Sequence, residues 1–323
     1  FQAEDGIRDK QICLVGSEMC IRDRYENDGS GRYSTHVIST SVNGAGDVYA
    51  TDLDGDGDTD VLSASRSSSA VYWHENDGSQ NFTQRAIAFG LSSLLNVFTA
   101  DVDGDGDIDV LTASAGDDTI AWLENDGNQN FTKRVISNTA DYARSVYAAD
   151  VDRDGDLDVL SASLNDNKIA WYENDGLQGF TERVISTSAS GAYDVLAFDV
   201  DGDGNMDVLS ASSYDDKIAW YKNDGNQVFT EQVISTTADN VQSIFAGDID
   251  GDGDLDALSA SVGADVSSYL NAVFCTEPDD ADGDGICGNL DNCPAVRNVG
   301  QANLDADAEG DLCDLDDGVI YLT

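Results

Sequence analysis

A strict 49-residue internal repeat, four short strand-like runs inside each copy, and small residues at the centres of those runs predict an all-β fold, a β-propeller of four-stranded blades. The repeat is set by Trp73, Trp122, Trp171 and Trp220, each opening a W-x-x-N-D-G stretch. In the third copy the runs are SVYAADV from Ser145, LDVLSAS from Leu157, KIAWYEN from Lys168 and FTERVIST from Phe180. Each is rich in β-branched and aromatic residues and is bounded by turn residues. Asn174-Asp175-Gly176 is a tight-hairpin signal, with glycine supplying the positive φ. Ser161 and Ala162 leave room for blades to pack face to face. A sandwich also uses short strands, but so long and regular a period argues against one.

One period before Trp73 stands Arg24 where the repeat asks for Trp, followed in register by Tyr25-Glu26-Asn27-Asp28-Gly29. Residues 1–24 have no counterpart downstream. Gln2 to Asp9 can be encoded by a string that resembles a sequencing flow-cell adapter, and CLVGSEMCIRD from Cys13 resembles a transposase primer with its mosaic end. The stretch mixes acids and bases and has no apolar run of signal-peptide length after a basic start. Residues 1–24 are therefore expected to lie outside the fold, with the natural start, including any secretion signal and two or more blades, missing.

The formal net charge of −47 over 323 residues excludes nucleic acid and anionic membranes as partners and favours cations. No apolar run reaches the ~18 residues of a membrane helix, so no membrane insertion is expected in the visible chain. Apart from Cys13 and Cys20, the cysteines are Cys275, Cys287, Cys293 and Cys313, a late cluster that suggests disulfides and an oxidising compartment.

The strongest chemical signal is a nine-residue acidic loop between the first two strands of each copy. In DLDGDGDTD, Asp52, Asp54, Asp56 and Asp60 occupy positions one, three, five and nine, with Asp58 at seven offering its backbone carbonyl. Alternate residues of a turning loop converge on one point, and Ca2+ takes six to eight hard oxygens, as in the first half of an EF-hand. Gly57 at position six permits the sharp turn. The same positions are Asp101, Asp103, Asp105 and Asp109 with Asp107; Asp150, Asp152, Asp154 and Asp158 with Asp156; Asp199, Asp201, Asp203 and Asp207 with Asn205; and Asp248, Asp250, Asp252 and Asp256 with Asp254. Asn205 falls at position seven, where the side chain is expected to be spared. Four carboxylates so close repel one another unless a cation intervenes, whereas an isolated Asp-Gly run is a solvated turn. The expected ions are structural.

DVDGDGDIDVLTAS with IAWLENDG resembles the FG-GAP or VCBS repeat of integrin-like β-propellers, from Tyr25 to about Val262, within a propeller region of residues 25–274. The resemblance implies seven or eight blades, of which five calcium-loop copies are visible, the last ending in a degenerate VGADVSSYLNAVF. After Phe274, Asp279 to Asp314 resembles a thrombospondin type 3 repeat, expected over residues 275–314 and followed by a tail at 315–323. Asp280, Asp282, Asp284 and Asp291 match its first calcium run and Asn303, Asp305, Asp307 and Asp311 its second, which departs from the family at Ala308. The pairing favoured there is Cys293 with Cys313 and Cys275 with Cys287, among three possible connectivities.

No catalytic constellation is present, and no enzyme activity is expected. His36 and His74 are expected at the surface. The four tryptophans are expected in the blade-to-blade core rather than as a sugar-stacking set. Asn81 and Asn130 match a glycosylation sequon but fall at ordinary strand starts. The expected function is a secreted or cell-surface calcium-binding module for adhesion or ligand recognition, its ligand a protein or glycan. An accessory propeller of a polysaccharide-degrading enzyme and a lectin are the alternatives.

Overall fold

The computed structural model describes residues 23–27, 29, 31–249, 255–262 and 266–269. Among them every regular element is a strand. A hairpin pairs β1 (Asp23–Asn27) with β2 (Tyr33–Val37). Four antiparallel four-stranded meanders follow: β3 (Ala45–Thr51), β4 (Asp60–Ser65), β5 (Ala70–Asn76) and β6 (Phe82–Phe89); β7 (Leu94–Ala100), β8 (Asp109–Ser114), β9 (Thr119–Asn125) and β10 (Phe131–Ser137); β11 (Ala143–Ala149), β12 (Asp158–Ser163), β13 (Lys168–Asn174) and β14 (Phe180–Ser186); β15 (Ala192–Phe198), β16 (Asp207–Ser212), β17 (Lys217–Asn223) and β18 (Phe229–Ser235). A fifth sheet has three strands, β19 (Val241–Gly247), β20 (Asp256–Ser261) and β21 (Val266–Tyr269), the last within the degenerate tail. Residues 1–22, the fifth-loop residues Asp250, Asp252 and Asp254, and the whole thrombospondin-like segment with its cysteines lie outside the described residues.

By their contacts the described residues form a large compact unit, holding the four complete sheets, and a small one that includes residues 200–203, 246–249 and 255–258. Within the large unit the first strands β3, β7, β11 and β15 lie beside one another in sequence order. The core sits between sheets. Trp73, Leu62 and Val71 of one sheet pack with Leu94, Val97 and Leu123 of the next. Trp122 and Leu111 pack likewise with Val146, Val159 and Tyr172, and Trp171 and Leu160 with Val195, Ala219 and Tyr221. Strand alternation explains this: a residue faces the following sheet and its neighbour the preceding one. Trp73, Trp122 and Trp171 are buried and Trp220 is half-buried, as expected of a blade-to-blade core. The strand centres Ser161 and Ala162 are fully buried, which only small side chains allow where two sheets meet. The fourth strands carry the exposed edge, and the pairs Arg134–Glu124 and Arg183–Glu173 cross from fourth to third strand there, each at 2.6 Å.

Three expectations need correction. His74 is fully buried rather than at the surface. It occupies the position of Tyr172 and Tyr221, which faces the preceding sheet. Its Nε2 lies 2.9 Å from Ser63 Oγ, just as the Tyr172 hydroxyl lies 3.2 Å from Ser161 Oγ. The Asn-Asp-Gly stretch opens a five-residue loop instead of a two-residue turn. The Asp175 N–H donates to Gly179 O at 3.0 Å, and both Gly176 and Gln178 have positive φ, each 68°. Finally, Asp23 and Arg24 belong to β1, where Arg24 sits opposite His36. The strand therefore takes in two residues before Tyr25, although Arg24 stands where the sequence repeat has Trp. His36 is exposed as expected, with Nε2 3.0 Å from Glu26.

Candidate metal centre

Each acidic loop leaves a first strand and returns into a second. Position one draws the loop around itself. Asp52 Oδ1 accepts from the N–H groups of Gly55 at 2.9 Å and Asp56 at 3.2 Å, while Oδ2 accepts from Gly57 at 2.9 Å. Asp101 and Asp150 accept in the same way from Gly106 at 3.0 Å and Gly155 at 3.2 Å, and Asp199 accepts from Gly204 at 2.8 Å. Gly57 has a φ of 93°, so the turn at position six does need glycine. Position nine is the clasp. Asp109 is fully buried, with Oδ2 accepting from Val102 N–H at 3.0 Å and Oδ1 from Asn125 N–H at 2.7 Å. Asp60 and Asp158 repeat this with Leu53 and Asn76 and with Val151 and Asn174. Asp207 accepts from Asn223 at 2.7 Å and Asp256 from Ile249 at 2.8 Å.

Positions one, three and nine converge. Carboxylate oxygens of Asp52, Asp54 and Asp60 lie within 4.8 Å of one another, as do those of Asp101, Asp103 and Asp109 and those of Asp150, Asp152 and Asp158. These groups could hold a metal ion. In these three loops position five stays outside the trio: Asp56, Asp105 and Asp154 are exposed and accept from the N–H two residues on, each at 2.9 Å. Asp201 takes a similar bond from Asp203 N–H at 3.3 Å. Position seven turns away. The side chains of Asp58, Asp107, Asp156 and Asn205 lie against Gly78, Gly127, Gly176 and Gly225 of the hairpin, where any Cβ would collide with them. Asp248 is exposed.

The donor set fits a hard cation. Asp54 Oδ1, Asp103 Oδ1 and Asp150 Oδ1 are buried with no hydrogen-bond partner, a costly arrangement that a cation would relieve. Burial, and then the neighbouring charges of Asp56, Asp105 and Asp154, raise the pKa of Asp54, Asp103 and Asp152 above the ordinary carboxylate value. Burial pushes Asp109 and Asp158 up to about 7 despite the N–H groups that oppose it. Oxygen-only donors of this kind suit Ca2+ or Mg2+ rather than softer metals. When bound, such an ion would offset most of the trio's negative charge and tie the start of the loop to its end.

Sequence reasoning found the loops but missed two features. Rings of Tyr49, Phe98 and Tyr147 meet along successive first strands, edge to face and then tilted, at centroid distances of 5.1 and 4.6 Å. A bulge in β11 brings the Arg144 guanidinium over the Tyr193 ring at 3.7 Å, and burial, then the charge of Arg66, lower its pKa to about 10. The 49-residue spacing of the three rings was the available signal for the first.

Repeated four-stranded sheets with acidic loops that could hold metal ions define a β-propeller-like repeat protein. The model of the FG-GAP-like repeat matches residues 52–112, 101–161, 151–210 and 199–259, and the chain belongs to that family. A search of curated proteins finds no match. Among solved structures, the chain is similar in fold to an Agrocybe aegerita lectin described in terms of specific recognition of non-reducing terminal N-acetylglucosamine. The TM-score is 0.54 at 17% identity, over 77% of this chain and 74% of that one. A functionally unknown protein from Desulfotomaculum acetoxidans is similar at a TM-score of 0.52 and 14% identity, over 78% and 76% of the two chains.

Proposed function

We propose that the protein is a secreted or cell-surface calcium-binding β-propeller that acts as a non-enzymatic adhesion or ligand-recognition module. The supporting observation is the recurrence, in three successive loops, of an aspartate trio with a buried, unpartnered oxygen. Positions one, three and nine would hold the ion through side chains and position seven through its backbone carbonyl. The ions would stiffen the loops and leave the opposite loop ends free for a protein or glycan ligand. The fold-level likeness to a lectin supports a glycan ligand by analogy alone. Burial of Trp73, Trp122 and Trp171 disfavours a sugar site built on those rings.

Calorimetric titration of calcium into the chain and two variants tests the reading. Asp54→Ala removes a carboxylate of the trio and is expected to abolish one site. Asp58→Asn changes a side chain directed at Gly78 and is expected to leave every site in place. Equal losses from both substitutions, or no calcium uptake by the unmodified chain, would overturn it.

A further inference from the structure

The hairpin motif N-D-G-x-Q is too regular for a plain turn, and its polar side chains reach into the preceding blade. Asn125 Nδ2 lies 3.5 Å from Leu53 O, Asn174 Nδ2 donates to Val102 O at 3.1 Å, and Asn223 Nδ2 donates to Val151 O at 3.2 Å. These carbonyls belong to position two of the preceding acidic loop. Four residues later at the same hairpin, Gln129 Nε2 donates to Asp54 Oδ2 at 3.3 Å, Gln178 Nε2 to Asp103 Oδ2 at 3.2 Å, and Gln227 Nε2 to Asp152 Oδ2 at 3.1 Å. The acceptor is position three each time, 75 residues back in the chain.

We propose that each calcium site is shared between blades, with Gln129, Gln178 and Gln227 as positioning residues that orient the position-three carboxylates Asp54, Asp103 and Asp152, so that ion binding and blade docking strengthen each other. The inference rests on the calcium reading above. In Asp54 and Asp103 the amide engages Oδ2, and Oδ1 is the buried oxygen without a partner. A donor on one oxygen fixes the rotation of the carboxylate and presents the other, as outer-shell donors do for metal ligands. A neutral amide does this without adding a charge that would compete with the ion. Arg85 Nη1 donates to Gln129 Oε1 at 2.8 Å, which turns the Nε2 end of that amide toward Asp54.

The backbone supports the same reading. Gln129, Gln178 and Gln227 hold φ values of 64°, 68° and 65°, a left-handed conformation that costs a non-glycine residue on the order of 1 kcal/mol or more. Glycine would fit there more cheaply, so the side chain is what the position retains. Gln80 is the internal control. It has the same conformation, with φ 65°, but its amide oxygen accepts from Arg24 and it touches no acidic loop among the described residues.

The test is calcium titration of the full chain by calorimetry, with thermal unfolding measured in EDTA and in saturating calcium. Gln178→Leu keeps the backbone cost and removes the donor. It is expected to weaken one site about tenfold, the lower end of the usual outer-shell effect. It should also leave a larger melting-temperature deficit in calcium than in EDTA. Gln80→Leu is expected to change neither. Gln129→Leu repeats the test at the first loop if Gln178→Leu does not fold. Full affinity at every site in both glutamine variants, while Asp103→Ala loses one site, would overturn the positioning role and leave the calcium reading standing. No calcium uptake by the unmodified chain would overturn both.

Discussion

Lowering the pH should bring a destabilising contribution from His74 that its repeat-mates cannot copy. His74 is fully buried, its only described polar contact is Ser63 Oγ at 2.9 Å, and burial lowers its pKa from 6.5 to about 4. The folded value lies below the unfolded one. The penalty is therefore absent above pH 6.5, grows as pH falls through the window from 6.5 to about 4, and is complete below it. Two and a half units correspond to about 3 kcal/mol at completion and about 2 kcal/mol by pH 5. Asp109 and Asp158 act in the opposite sense. Their folded values, near 7, lie above the unfolded ones, so they favour the folded state as pH falls. Comparison with His74→Tyr cancels these and all other carboxylates. The variant is sterically reasonable because Tyr172 and Tyr221 fill the equivalent positions and meet Ser161 at 3.2 Å and Ser210 at 3.5 Å. Urea unfolding of both proteins in EDTA, at steps from pH 7.5 to 5, should show the stability difference shifting by about 2 kcal/mol in favour of tyrosine. Parallel pH profiles, or a measured His74 pKa above 6, would show that the ring is not buried as described.

Trp171→Ala should destabilise by about 3 to 5 kcal/mol, because a large ring 2% exposed would leave a cavity between two sheets; chemical denaturation measures this, and a loss below 1 kcal/mol would contradict the packing. Asn174→Ala should cost about 2 to 4 kcal/mol, since it strips donors from Val102 O and Leu157 O in a buried setting, whereas Asn128→Ala on the exposed hairpin should cost under 1 kcal/mol by the same assay. Arg153→Gly should stabilise by about 1 kcal/mol, read as a higher melting temperature in EDTA. Arg153 holds a φ of 65° at loop position four, where Gly55, Gly104 and Gly202 stand in the other copies.

Local and periodic features were legible in the residues alone. The 49-residue period, the strand runs, the burial of tryptophans between sheets and the one-three-nine spacing of aspartates all depend on contacts within one copy or on a register repeated in the next. Strand alternation and loop chirality impose them on any chain with that pattern. Tertiary structure decided the rest. His74 looked like a strand-end surface residue because one sequence does not say which sheet covers which strand face. Position five looked equivalent to position three, yet Asp56 folds back on its own loop while Asp54 meets a donor from the next blade. That donor lies 75 residues away in Gln129, and the partnership exists only because rotation from one sheet to the next sets a hairpin on its neighbour's loop. Sequence spacing fixes what one repeat can do by itself, and the angle between repeats determines which side chains two of them share.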